Sequence, residues 1–275
     1  MTRLVAAAVA LLLAGCSPAP RVIPISIAAD QAPPPAQRIA DYPGAFQAIG
    51  VVMKRDLGLP VPSVSLYLYP NRDAFEEGLK AERHFEPPGM ARDSASFARG
   101  VGGPDKILVN EGALVRTPWP ERTKFLAHEF THTIQYALAG GRHGTSDQWL
   151  REGFADWVAF RVVDSLGLSH FADERARRVR QVKGAMDRKS FPPLGDLATF
   201  PQWIHWRSRQ GVEVTYGQAF LAVDLLIERR GHQAAVEYFR RFTRSNDRLV
   251  NFRVAFGQEL TEFDREFTAQ LRTLR

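Results

Sequence analysis

The segment spanning residues 122–140, RTKFLAHEFTHTIQYALAG, constrains this chain more than any other. Its apolar residues recur at helical intervals: Leu126, Phe130, Thr133 and Ala137 form one stripe, which predicts a helix with that face on a core. His128 and His132 fall on a second stripe, one turn apart, so both imidazoles point toward one place. Two imidazoles so placed can hold a metal ion, and Glu129 between them supplies a carboxylate about 100° further round the helix. A hydrolytic zinc site needs three protein ligands and one open position. The chain offers two sources for the third: His143, in the glycine-flanked loop GGRHGTSD, and Glu152, in WLREGFADWV.

The remaining histidines, His84, His170, His205 and His232, have no mutual ligand spacing and read as structural or surface residues. Trp203 and Trp206 flank His205 and read as core packing. Arg207 and Arg209 have the charge to meet a substrate carboxylate, without local sequence support.

The chain begins with MTRLVAAAVALLLAG, a single Arg3 followed by an apolar run too short to span a bilayer, which has the form of a signal-peptide core. Cys16 follows at once and is the only cysteine, so no disulfide forms within the chain. The context Leu13-Ala14-Gly15-Cys16 resembles the lipobox of bacterial lipoproteins. The resemblance implies cleavage after residue 15, acylation of Cys16, and a lipid-anchored protein of the bacterial envelope, on the outer membrane facing the periplasm if the cell is Gram-negative. Multiple acyl chains anchor stably without a transmembrane helix. A net charge of +6 is modest for 275 residues. The densest basic stretch, residues 175–189, reads as a solvated helix face, and no nucleic-acid motif accompanies it.

Residues 16–40 are rich in Pro and Ala and read as a tether, with residues 22–27 able to dock as a short edge strand. The folded part is expected to run from 41 to 275. Residues 43–57 have helical spacing, residues 63–69 and 105–110 read as strands, and Asn71 caps a short helix between them. Beyond Gly140 the pattern is helix and loop, including a helix opening at Ser146, one over residues 217–230, and further helices to the C-terminus. The expected fold is therefore α+β: an α/β half with a small mixed sheet over residues 41–140, a helical half over 141–275, and a cleft between them at the histidine helix.

The pair HEFTH and WLREGFADW resembles the gluzincin metallopeptidases, and most closely small bacterial peptidase MA-like domains. Trp149, Leu150, Glu152, Gly153, Phe154 and Ala155 match the second signature of that superfamily, with Arg151 where Asn is usual. The resemblance implies a zincin-like fold and one zinc ion on His128, His132 and Glu152. It implies Glu129 as the general base that takes a proton from zinc-activated water and passes it to the leaving amine. It places Asp156 behind His128 as an orienting carboxylate, and Tyr216 as the donor that stabilises the oxyanion. The strand at residues 107–109 corresponds to the upper edge strand that pairs with substrate backbone. Glu111 stands beside it, but the surrounding ILVNEGAL departs from the aminopeptidase signature. The expected activity is an envelope zinc peptidase acting on peptide or protein substrates, with endopeptidase action favoured. The competing readings are a lipoprotein that uses a peptidase-like fold as a binding module, and a hydrolase of non-peptide amides or esters.

Overall fold

The computed structural model describes residues 18–28, 30–82, 89–141, 146–187 and 191–273. Cys16, the leader before it, His84 and His143 lie outside the described residues.

The fold is mixed α+β, with a small four-stranded sheet and predominantly helix elsewhere. Strand β1 (Arg21–Ile25) pairs antiparallel with β2 (Val64–Tyr69), which runs parallel to β4 (Lys106–Asn110); β3 (Gly100–Gly102) closes the far side antiparallel to β4. The sheet order is β1-β2-β4-β3. Val64, Leu66 and Leu68 alternate inward along β2, as the period of two requires, and meet Ile107 and Val109 in the main core. Helix α1 (Tyr42–Arg55) is started by Asp41, whose side chain accepts the Gly44 N–H at 2.7 Å, with Pro43 in the first turn. Helix α2 (Arg72–Lys80) is capped in the same way by Asn71, and α3 (Met90–Phe97) leads into β3.

The histidine segment is α4 (Trp119–Leu138), with Pro118 and Pro120 at its start. It packs on β3, β4 and α1, where Phe130 meets Phe46 edge to face at 5.4 Å. Helix α5 (Gln148–Ser165) lies against α4 on one side and against α8 (Val212–Arg230) on the other. Around them stand α6 (Phe171–Asp187), α7 (Phe200–Gln210), α9 (His232–Arg241), α10 (Arg248–Phe256) and α11 (Leu260–Thr273).

Several expectations are corrected. The strand at 107–109 is interior, and β3 is the edge strand beyond it. The GVGG sequence of β3 carries no hydrophobic run, so no strand was expected there. Its glycines are required by close approach: a Cβ on Gly102 would stand 2.1 Å from the Glu129 carbonyl oxygen, and one on Gly100 2.6 Å from the Phe125 ring. Within residues 16–40, the edge strand read as able to dock over 22–27 forms as β1 (Arg21–Ile25), held because Ile25 is buried and Gln47 of α1 exchanges two hydrogen bonds with Ala28. Ala137 is exposed, and Ile134 and Leu138 complete the buried stripe instead. Helix α8 begins after Gly211, five residues before 217, so Tyr216 sits a full turn inside it. The basic stretch on α6 is not wholly solvated, since Arg178 is buried against α5.

Candidate metal centre

One face of α4 and one face of α5 meet around a single point. His128 and His132 reach it from α4 and Glu152 from α5. The His128 and His132 Nε2 atoms are 3.1 Å apart, and Glu152 Oε2 stands 3.2 Å from the first and 3.6 Å from the second. Tetrahedral ligands held about 2.0–2.1 Å from one zinc ion lie about 3.3 Å from one another, so the donor triangle has the size such an ion requires.

The far sides of the rings fix which atoms carry protons. His128 Nδ1 faces Asp156 Oδ1 at 2.9 Å, and His132 Nδ1 faces Gln135 Oε1 at 3.0 Å. Gln135 is itself oriented, because its amide nitrogen donates to the Arg151 carbonyl at 2.9 Å. Both Nδ1 atoms therefore donate, and in the neutral tautomers both Nε2 lone pairs point inward. Glu152 Oε1 accepts from Gln148 Nε2 at 2.7 Å, which leaves Oε2 for the centre. Three donor atoms converge here, an arrangement that holds together only around a positive charge, either a proton or a metal ion.

The electrostatics say the same. Burial opposes a charged imidazole at His128, yet the Asp156 and Glu152 carboxylates outweigh it and hold its pKa well above the usual value. Burial would raise Glu152, but His132 and His128 more than reverse this and keep it far below the usual carboxylate range. The cluster demands one cation, and a metal ion competes with the proton for that place.

Behind the triad runs a second line of contacts. The other oxygen of Asp156, Oδ2, accepts from Arg178 Nη2 of α6 at 2.8 Å. Burial raises the Asp156 pKa, but Arg178 and His128 bring it below the ordinary value, so the carboxylate is ionised and fixed between two donors.

Glu129 is buried beside the triad, and its Oε2 accepts the backbone N–H of Gly102 at 2.9 Å. Burial raises its pKa, with partial opposition from His128 and His132, which moves it toward the range of a working base. Tyr216, from α8, sets its ring 6.2 Å from that of His128 and is backed by Trp203 at 5.0 Å. Burial raises its pKa well above the usual value, so the hydroxyl remains a donor at neutral pH. His128, Glu129, His132, Glu152, Asp156 and Tyr216 line one cleft of about 750 Å³, walled by β3, α4, α5 and α8.

Of the residues expected from sequence, His128, Glu129, His132, Glu152, Asp156 and Tyr216 come together here, and Glu152 takes the third place in the triad. Trp203 is core, behind Tyr216. His170 is exposed, His205 lies beside Trp206, and His232 faces the Leu57 carbonyl. Glu111 pairs with Arg21 on the surface. Sequence reasoning missed Gln135, Gln148, Arg178 and Gly102. The first two stand three residues after His132 and four before Glu152, spacings that put them beside their partners on the helix; Arg178 and Gly102 arrive from other elements and leave no local signal.

No family model, no curated protein and no solved structure matches the chain.

Proposed function

We propose that the protein is a zinc-dependent peptidase of the gluzincin type with a zincin-like fold, favouring internal peptide bonds and anchored in the bacterial envelope through acylated Cys16. The observation that carries this reading is the convergence of three metal-ligating side chains, His128, His132 and Glu152, beside a buried carboxylate and a protonated tyrosine.

A zinc ion held by these three residues supplies a Lewis acid and brings the pKa of water toward about 7. Glu129 takes the proton of the attacking water and delivers it to the leaving nitrogen, and the Gly102 N–H keeps the carboxylate aimed. The Tyr216 hydroxyl donates to the carbonyl oxygen as negative charge develops there. Strand β3, the edge of the sheet on the cleft wall, offers extended backbone to a substrate peptide. Asp156, with Arg178 behind it, holds the His128 ring in place.

The test uses the full-length protein in detergent. Wild type is expected to bind zinc one to one and to cleave members of a peptide library. Glu129→Gln is expected to keep the zinc and to lose about 10²- to 10⁴-fold in rate. Full zinc occupancy with no cleavage dependent on Glu129 would leave a metal-binding module in place of an enzyme. Failure of both proteins to take up zinc removes the centre altogether.

A further inference from the structure

Most of the positive charge on the cleft wall is already matched. Lys124 pairs with Glu121 and Glu174, Arg177 with Glu174, and Arg178 with Asp156. Arg151 donates to Gln148. Arg207 of α7 is different. It lines the same cleft, yet among the described residues no carboxylate or carbonyl oxygen receives its guanidinium. The group lies 3.5 Å over the Phe97 ring, and its Nε is buried without a hydrogen-bond partner. Arg99, the other unmatched cleft guanidinium, is exposed, so water serves it.

A half-buried cation with no anion beside it is costly for a fold to keep, because burial strips hydration that nothing else replaces. The guanidinium stays charged even though burial lowers its pKa. It lines the cleft together with Tyr216 and Glu152. Stacking on Phe97 fixes the guanidinium plane and leaves the two Nη groups, which are neither buried nor paired, as the donors open to the two oxygens of a carboxylate.

We propose that Arg207 is a substrate-anchoring residue that receives a carboxylate of the bound peptide, supplied by its free C-terminus or by an acidic side chain near the scissile bond. The inference rests on the peptidase reading, whose substrates carry no other common anion.

The experiment compares matched fluorescent peptides in three forms: free acid, C-terminal amide, and C-terminal amide with a Glu at successive positions. Full-length, zinc-loaded wild type, Arg207→Gln and Arg207→Lys are assayed for kcat/KM. Binding is read separately by anisotropy in the Glu129→Gln background, with and without Arg207→Gln. Wild type is expected to prefer a carboxylate-bearing form by about 10- to 100-fold. Arg207→Gln is expected to reduce that ratio to near one while zinc content holds, and Arg207→Lys to keep part of it. Preference for the free acid identifies the C-terminus as the source, and preference for Glu-containing amides identifies the side chain. An unchanged ratio in Arg207→Gln overturns the proposal, as does an equal loss on every peptide together with loss of zinc. If zinc-loaded wild type cleaves nothing, the peptidase reading fails, and the anisotropy ratios still decide whether Arg207 holds a carboxylate.

Discussion

Asp156 is the residue on which the centre's geometry turns, because one carboxylate answers two donors at once: Oδ1 holds the His128 ring and Oδ2 is held by Arg178. Arg178 touches none of the three donor residues directly through a hydrogen bond, so its effect must pass through Asp156. Partners of this kind are worth about 10- to 100-fold in metal affinity. Asp156→Asn and Arg178→Gln are each expected to weaken zinc binding within that range. The double variant is expected to be little worse than Asp156→Asn alone, since groups acting through a shared partner are not additive. Competition titration with a zinc chelator measures all three, and additive losses would show that Arg178 acts independently.

At the scale of elements, the centre depends on how closely α5 approaches its neighbours, and glycine sets that distance. Gly153 follows Glu152, and a Cβ there would stand 2.3 Å from the Ala219 carbonyl oxygen of α8. Gly153→Ala must push α5 away from α8, which carries Tyr216, at a cost of about 1–3 kcal/mol for forced overpacking. The variant is expected to melt lower and to lose zinc affinity and activity together. Gly184→Ala on α6 is the control: nothing lies within 4 Å of its would-be Cβ, and the exchange is expected to leave the melting temperature unchanged or raise it, since Ala is the better helix former by about 1 kcal/mol. Thermal unfolding of the two variants beside wild type separates close packing from helix propensity; equal behaviour would contradict the account of α5.

Over the whole molecule, the triad joins helices from the two halves of the chain, α4 beside the sheet and α5 in the helical part, so a bound ion ties them together. Any ligand that binds only the folded state stabilises it, by about 2.7 kcal/mol when its free concentration is a hundred times Kd. The melting temperature of full-length protein is expected to rise with zinc and fall on chelation, and this response is expected to vanish in His132→Ala; a melting temperature indifferent to zinc would refute the site. The elements read best from sequence are those with local signals: the cap residue Asn71, the alternating β2 and the HEFTH stripe on α4 all stand where periodicity and capping put them. Those missed lack such signals. Strand β3 is glycine because another backbone presses on it, which leaves no hydrophobic pattern to read. The sequence by itself placed the two imidazoles on one face, since spacing on a helix is a local property, and left His143 and Glu152 as sources of a third donor; the tertiary structure brings Glu152 to them. Only the tertiary structure decided what keeps those donors in place: Gly102 on Glu129, Arg178 on Asp156, and the unmatched Arg207 on the cleft wall come from segments distant along the chain, joined by packing that no local pattern encodes.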